Sequence, residues 1–384
     1  MKRLLVLLLL CVSSLSNAAR FVHIAGSTAL NGQIDGGVGV QAIFYYPQSL
    51  VFDKNGDLLV LDQGTNQGLR GQYLNKKDFE AGRCFASLIR KVSLTEPYPV
   101  TTFAGQRVAR CDVADDLNND GGLFTAILYT GNQLNINPVN GDLYMSQLSD
   151  GKIRQVIDQS VTTFPGTRFR PDIKSYELWS KKYGTDQGVA YGNGKLFANG
   201  YWRPNIRQYS LDGAFEKEFD LQSAGCKSNS VESVNNGGLV FLNDALYTTC
   251  GNKLVRVVVD NGSVEVIYEA PYPEISSISS GQGHILFSVG YQISALNVKS
   301  GSVIDIAHVY NGILSEIMDF QTANPSFIKI TGLALSDSGQ VYFSMSNGRI
   351  YRVDDFPPLP VETETVFHLM VKMILGSNKG GSMQ

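Results

Sequence analysis

The sequence predicts an all-β chain, a six-bladed β-propeller of four-stranded antiparallel blades closed by an N-terminal strand. Three observations carry this. Asp35-Gly36-Gly37…Gly56-Asp57-Leu58-Leu59-Val60 returns 85 positions later, read without a gap, as Asp120-Gly121-Gly122…Gly141-Asp142-Leu143-Tyr144-Met145. A second phrase, Val100-Thr101-Thr102-Phe103-Ala104-Gly105, returns as Val161-Thr162-Thr163-Phe164-Pro165-Gly166. Short apolar strands separated by Gly/Asp/Asn turns then recur along the chain, the signature of radially repeated small sheets.

The chain opens with a basic pair, Lys2-Arg3, an apolar run from Leu4 to Val12, and the small residues Ser16-Asn17-Ala18-Ala19. This is the pattern of a secretory signal peptide over 1–19, cleaved near Ala19. Its apolar run is too short to span a bilayer, and no later segment reads as a transmembrane helix. The expected destination is secreted, or the lumen of the secretory pathway. The formal charge is −3 and becomes more negative once Lys2 and Arg3 are removed. An acidic chain argues against nucleic-acid binding.

The propeller is expected over 20–356. Phe21-Val22-His23-Ile24-Ala25-Gly26 reads like the fourth strand that ends Phe103-Ala104-Gly105. Second strands follow at Asp57-Leu58-Leu59-Val60, Asp142-Leu143-Tyr144-Met145, Lys195-Leu196-Phe197-Ala198, Ala245-Leu246-Tyr247-Thr248, His284-Ile285-Leu286-Phe287 and Gln340-Val341-Tyr342-Phe343. Third strands follow each of them, from Leu88-Ile89-Arg90-Lys91-Val92 to Arg349-Ile350-Tyr351-Arg352-Val353. The sixth unit stops there. The N-terminal strand supplies what is missing, which closes the ring and removes an exposed edge. Blade 1 carries an insertion, about Gln63 to Ser87, between its second and third strands. Pro357, Pro358 and Pro360 end the domain. The tail 357–384 holds a short apolar stretch, Val366 to Leu375.

Removal of Cys11 leaves Cys84, Cys111, Cys226 and Cys250. An even count in an oxidising compartment predicts two disulfides. A blade reaches the same face after its second and fourth strands. Cys84 and Cys111 then share one face of blade 1, and Cys226 and Cys250 share that face in blades 3 and 4. Cys84–Cys111 and Cys226–Cys250 are the expected bridges; two other pairings remain open. Asn261-Gly262-Ser263 is an N-glycosylation triplet in a turn.

Asp35-Gly36-Gly37…Pro47-Gln48-Ser49-Leu50-Val51-Phe52-Asp53, Asp120-Gly121-Gly122 and Ile153-Arg154-Gln155-Val156 resemble NHL-repeat proteins. The likeness is good in blades 1 and 2, fair in 3, 4 and 6, and poor in 5. It implies the propeller and leaves enzyme and binder both open. The extracellular NHL enzyme peptidyl-hydroxyglycine lyase needs three histidines on zinc. The mature chain has only His23, His284, His308 and His368, placed on unlike elements, so the resemblance does not extend to that site. No Gly-x-Ser-x-Gly elbow is present.

Inner strands enter the central channel from one face. The gap-free alignment of blades puts Gln48, Gln133, Asp186, Asn236, Ile275 (beside Glu274) and Thr331 at one height. Such a ring is suited to a small polar ligand or to Ca²⁺ or another divalent cation. Gluconolactonase-like propellers hold a metal with a Glu, an Asn and an Asp, and that comparison points to Asp186, Asn236 and Glu274. The insertion adds Arg70, Lys76, Lys77 and Arg83 with Tyr73 and Phe79 between them. The reading that follows is a monomeric secreted propeller, binding an extracellular protein, peptide or glycan through its insertion-bearing face. Lys76, Lys77 and Arg83 join the channel ring as its binding residues. The alternative is a metal-dependent hydrolase or lyase at the channel mouth.

Overall fold

The computed structural model describes residues 19–27, 33–63, 83–110, 120–128, 131–147, 152–167, 186–200, 204–226, 238–271, 274–309 and 329–354, with Phe356 and Leu359. For 83–85, 108–110, 186 and 187 it describes backbone only. The residues form six antiparallel blades in chain order. Blade 1 runs Pro47–Phe52, Leu58–Asp62, Leu88–Val92 and Val100–Ala104. Blade 2 runs Gly131–Ile136, Leu143–Gln147, Ile153–Ile157 and Ser160–Thr163. Blade 3 runs Asp186–Gly192, Lys195–Gly200, Asn205–Ser210 and Phe215–Asp220. Blade 4 runs Leu239–Leu242, Ala245–Cys250, Lys253–Val258 and Val264–Glu269. Blade 5 runs Ile275–Gly281, His284–Val289, Gln292–Asn297 and Val303–His308.

Blade 6 has Ile330–Leu335, Val341–Met345 and Ile350–Asp354 from the C-terminal side, and its outer strand is Arg20–Ala25. Phe21 lies opposite Val353 and His23 opposite Tyr351. The expected closure is therefore present. It joins the two ends of the ring by a backbone ladder across more than three hundred residues of sequence.

Each second strand reads as a continuous apolar run because both of its faces are covered. Leu58 and Val60 pack toward blade 6, whereas Leu59 and Leu61 pack toward blade 2. Six apolar clusters result, one at each interface between neighbouring blades. The aromatic residue of the second strand meets the next blade's inner strand: Tyr144 lies 6.3 Å from Tyr191 and Phe197 lies 5.7 Å from Phe241, both stacked. A Cβ on Gly192 would fall about 2.1 Å from the Phe241 ring, so the ring occupies space that only glycine leaves open.

The fading of the repeat along the chain has a cause in its turns. Blades 1, 2 and 6 join their first two strands through a longer turn ending in a positive-φ glycine, Gly56, Gly141 or Gly339. Blades 3, 4 and 5 use two-residue turns, Asn193-Gly194, Asn243-Asp244 and Gln282-Gly283, with both central residues at positive φ. These are tight hairpins matched to the twist of the strands, so the Gly-Asp phrase has no place in them.

Two additions modify the four-stranded plan. Gly121–Gly122 pairs with Ser160–Thr163 as a fifth strand on the outer edge of blade 2. Arg83–Phe85 pairs with Val108–Arg110 in a separate two-stranded ladder after the insertion of blade 1. The insertion itself, 64–82, lies outside the described residues, as do 1–18 and all of the tail except Leu359. Leu359 is buried between blades 5 and 6. Among the described residues no helix is long and apolar enough to cross a membrane.

Candidate functional site

The inner strands do not enter the channel as regular β-strands. Each of five blades has a one-residue bulge at the same place. Residue 48 is skipped between the pairs Pro47↔Asp62 and Ser49↔Leu61. The equivalent skipped residues are Asn132, Gln187, Ser276 and Thr331. The corresponding position of blade 4 lies outside the described residues. A bulge turns its extra residue away from the ladder and re-aims it. Gln48, Asn132, Ser276 and Thr331 line one polar cavity in the channel together with Ser49, Gln133, Gly238 and Ser277. Its empty volume is about 290 Å³, open mouth included.

This corrects the expected ring. Gln48 and Thr331 sit at the bulge, Gln133 one position beyond it, and Asp186 and Ile275 one position before it. The error came from treating the 85-residue offset as gap-free. Second strands do keep that offset, since Val60 corresponds to Met145. Inner strands are offset by 84, since Leu50 pairs with Val60 as Leu134 pairs with Met145. The first turn of blade 2 is one residue longer, and that residue shifts the inner strand by one. Asn132 was missed for this reason; by the same comparison the first turn of blade 5 is one residue shorter, which shifts its inner strand the other way, and Ser276 was missed with it. The apolar Ile275 in a polar ring was the signal available in the sequence.

Gln133 belongs to the scaffold. Its Oε1 accepts from Val189 N at 3.0 Å and Leu239 N at 2.9 Å, while its Nε2 donates to Leu239 O at 2.8 Å. One carboxamide thus ties blade 2 to blades 3 and 4. A Cβ at Gly188 would meet Asn199 Oδ1, Leu239 N and Gln133 Oε1 at 2.6 to 2.8 Å, and one at Gly238 would meet Gln133 Cδ at 2.9 Å. These glycines let the Gln133 side chain cross. Thr331 is also anchored: its hydroxyl donates to Pro47 O, which Ser344 Oγ reaches at 2.9 Å. The long contact from Gln48 Nε2 to Asn132 Oδ1, 3.4 Å, joins the bulges of blades 1 and 2.

The repeated Asp-Gly-Gly phrase proves to be a clasp. Asp35 accepts from Arg90 Nη2 at 2.7 Å and from the Thr102 hydroxyl at 3.1 Å. Asp120 accepts from Arg154 Nη2 at 3.0 Å and from the Thr163 hydroxyl at 3.0 Å. Each aspartate therefore grips the third and fourth strands of the blade it precedes. Arg90, fully buried, extends further and donates to Asp62 Oδ2 at 3.3 Å. Asp62 closes the second strand at the root of the insertion, and its Oδ1 accepts from the Tyr45 and Tyr46 backbone at 2.8 and 2.9 Å. Complete burial pushes the Asp62 carboxyl up to about 6, against the opposing pull of Arg90 and the two N–H donors.

At the same face, burial and the charge of Glu274 push Tyr46 up to about 12. Glu274 is exposed just ahead of the inner strand of blade 5. Asp186 begins the inner strand of blade 3, with its side chain outside the description, and Asn236 lies outside the described residues. Lys76, Lys77 and Cys111 are also outside them, and Arg83 and Cys84 are placed by backbone only. No group of three or more His, Cys, Asp or Glu residues gathers among the described residues. His284 is buried, its Nδ1 2.7 Å from Gln282 O, at the far end of the blade from the bulges. Cys226 and Cys250 form the expected disulfide, Cα–Cα 5.6 Å, linking blade 3 to blade 4. Asn261 is exposed in a turn that its Oδ1 holds by accepting from Ser263 N at 2.9 Å.

No protein-family model matches the sequence, and no curated protein matches it. Solved structures do resemble the fold. A Bacteroides thetaiotaomicron protein of unknown function matches at TM-score 0.56 and 13% identity, over 88% of this chain and 76% of its own. A streptogramin B lyase matches at 0.47 and 13%, over 88% and 97% of the two chains. An inactive Staphylococcus aureus virginiamycin B lyase with quinupristin matches at 0.46 and 14%, over 87% and 99%. At such identities the likeness concerns the propeller fold alone.

Proposed function

We propose that this chain is a secreted NHL-type propeller that binds an extracellular protein, peptide or glycan through its insertion-bearing face. The observation that carries this reading is the gathering of irregular features at one end of an otherwise regular ring. The bulges of five inner strands, the root of the insertion at Asp62, the Arg83–Phe85 ladder and Glu274 all belong to that end. The opposite end carries short hairpin turns. Loops on a rigid scaffold are where binding residues concentrate, and strand-end loops of a propeller fan out around the channel.

The Cys226–Cys250 disulfide suits an oxidising compartment. A second bridge, Cys84–Cys111, would fasten the insertion on this face, and a glycan at Asn261 would sit on the opposite one. A combined Lys76→Ala, Lys77→Ala, Arg83→Ala variant tests the reading. Immobilised mature protein is exposed to medium from cells that secrete it, and the captured partner is compared between wild type and variant. Partner capture by the wild type and its loss in the variant, with unchanged melting, is the expected result. Equal capture by both refutes the assignment of that face. The same capture repeated with EDTA and with added Ca²⁺ tests the cation reading of Asp186, Asn236 and Glu274.

A further inference from the structure

We propose that Val361 to Val366 of the tail add to the outer edge of blade 5 as a fifth strand, so that the C-terminus straps blade 5 to blade 6. The strap runs along the rim of the ring and is independent of the face assigned above to a partner.

The chain does not leave the propeller at its last strand. Beyond Asp354 it follows the seam between blades 5 and 6, where Phe356 is partly buried and Leu359 is buried in one apolar cluster with Ile306 and Ala307. Those two residues belong to Val303–His308, the outer strand of blade 5. Ile304 lies on the same side of that strand, since it pairs with Ala295 of the same cluster, yet it is 37% exposed. The apolar seam that Leu359 enters therefore continues onto a surface that water still reaches.

Outer edges elsewhere are met by chain from outside the blade or guarded by charge. Gly121–Gly122 pairs with the outer strand of blade 2, and Gly36 bridges to Val100 in that of blade 1. The outer strand of blade 3 carries Glu216, Lys217, Glu218 and Asp220, and that of blade 4 carries Glu265 and Glu269. Such charges discourage further strand pairing. The outer strand of blade 5 has one carboxylate, Asp305, which accepts from Ser294 Oγ at 3.0 Å, and its last residue is His308. Of the three it is the edge best suited to accept another strand.

The tail sequence fits that edge. Pro357, Pro358 and Pro360 favour an extended approach, and proline is tolerated at the threshold of an edge strand. Val361, Thr363 and Thr365 then alternate with Glu362 and Glu364, a β-branched face against an acidic one. The first face suits the seam beside Ile304; the glutamates face water and guard the new edge. Six residues span about 20 Å as a strand, the length of the six-residue Val303–His308. Val361 follows the buried Leu359 by two residues, so the chain's own tail reaches the edge at a high effective concentration. This favours it over the tail of a second copy.

Hydrogen exchange read by mass spectrometry tests this on three proteins: the mature chain, the same chain ending at Pro360, and Thr363→Pro, which keeps the tail but removes a ladder donor. Peptides covering 303–308 should exchange about tenfold faster in both variants than in wild type. Peptides covering 215–220 and 264–269 should stay unchanged, as should the far-UV circular dichroism. Wild-type protection at 303–308 should persist on dilution, with a monomeric mass by light scattering. Equal exchange in wild type and Thr363→Pro overturns the proposal, whether or not the shortened chain folds. Faster exchange spread equally over all three edges overturns it too, because that reports a general loosening. Protection that fades on dilution as a dimer dissociates also overturns it, since the added strand then belongs to a second copy.

Discussion

Replacing Gln133 by alanine separates a scaffold role from a ligand role in the channel. The wild-type carboxamide makes three buried hydrogen bonds, accepting from Val189 N and Leu239 N and donating to Leu239 O. Truncation strands two N–H groups and one carbonyl on the inner strands of blades 3 and 4. Each buried polar group left unmet costs about 1–3 kcal/mol. The adjoining cavity admits water, which restores part of the loss, so the expected destabilisation is about 2–4 kcal/mol. Urea unfolding followed by tryptophan fluorescence and far-UV circular dichroism measures it. The midpoint should fall while the slope stays constant, as it does when stability changes and the denatured state does not. Gln48→Ala is the internal control. Gln48 lines the same cavity but makes only the long contact to Asn132, so its loss should stay within about 0.5 kcal/mol. If Gln133→Ala is as mild as Gln48→Ala, the three-blade tie contributes nothing and the scaffold argument is refuted.

Three further outcomes follow from the buried charges and the disulfide. Asp62→Asn leaves the buried Arg90 with only the half-exposed Asp35 as counter-ion and should cost about 3–5 kcal/mol in the same assay. The pH dependence has a definite sign. Because burial raises the Asp62 carboxyl from its ordinary 3.8 to about 6, the native state binds the extra proton between those values. Its contribution to stability is therefore present below about pH 4 and lost as the pH rises through 6. Asp62→Asn should remove that component of the stability–pH curve, and an unchanged curve would show that Asp62 does not titrate there. Cys226→Ser opens a bridge spaced 24 residues apart and should lower stability by about 3 kcal/mol, matched by dithiothreitol on wild type; equal midpoints before and after reduction would contradict it.

The sequence was legible where the fold repeats a local solution. Leu58 to Leu61 is apolar at every position because a second strand has neighbours on both faces, and that pattern needs no knowledge of the partner. Phe21 to Ala25 could be matched to a fourth strand because the phrase itself recurs. The site was less legible. One additional residue in the turn after Ile136 moved the inner strand of blade 2, so the repeat pointed to Gln133, which lines the cavity and ties blades 2, 3 and 4, and passed over Asn132 at the bulge. Ser276 was hidden behind Ile275 by the same bulge geometry.

The sequence by itself determined the class of fold, the number of blades and the closing strand, since each follows from local alternation, turn chemistry or the order of strands along the chain; among the cysteine pairings it left open, the structure decided for Cys226–Cys250. Only the tertiary structure decided which polar residues share the channel and what each does. Bulges are set by the packing of six sheets around one axis, and the reach of Gln133 across to Leu239 spans 106 residues of sequence. The Asp-Gly-Gly repeat shows the division most plainly. Its recurrence was visible in the letters, but its purpose was not. Asp35 and Asp120 recur because each must meet a buried arginine and a threonine two strands apart, a meeting that exists only once the blade has folded.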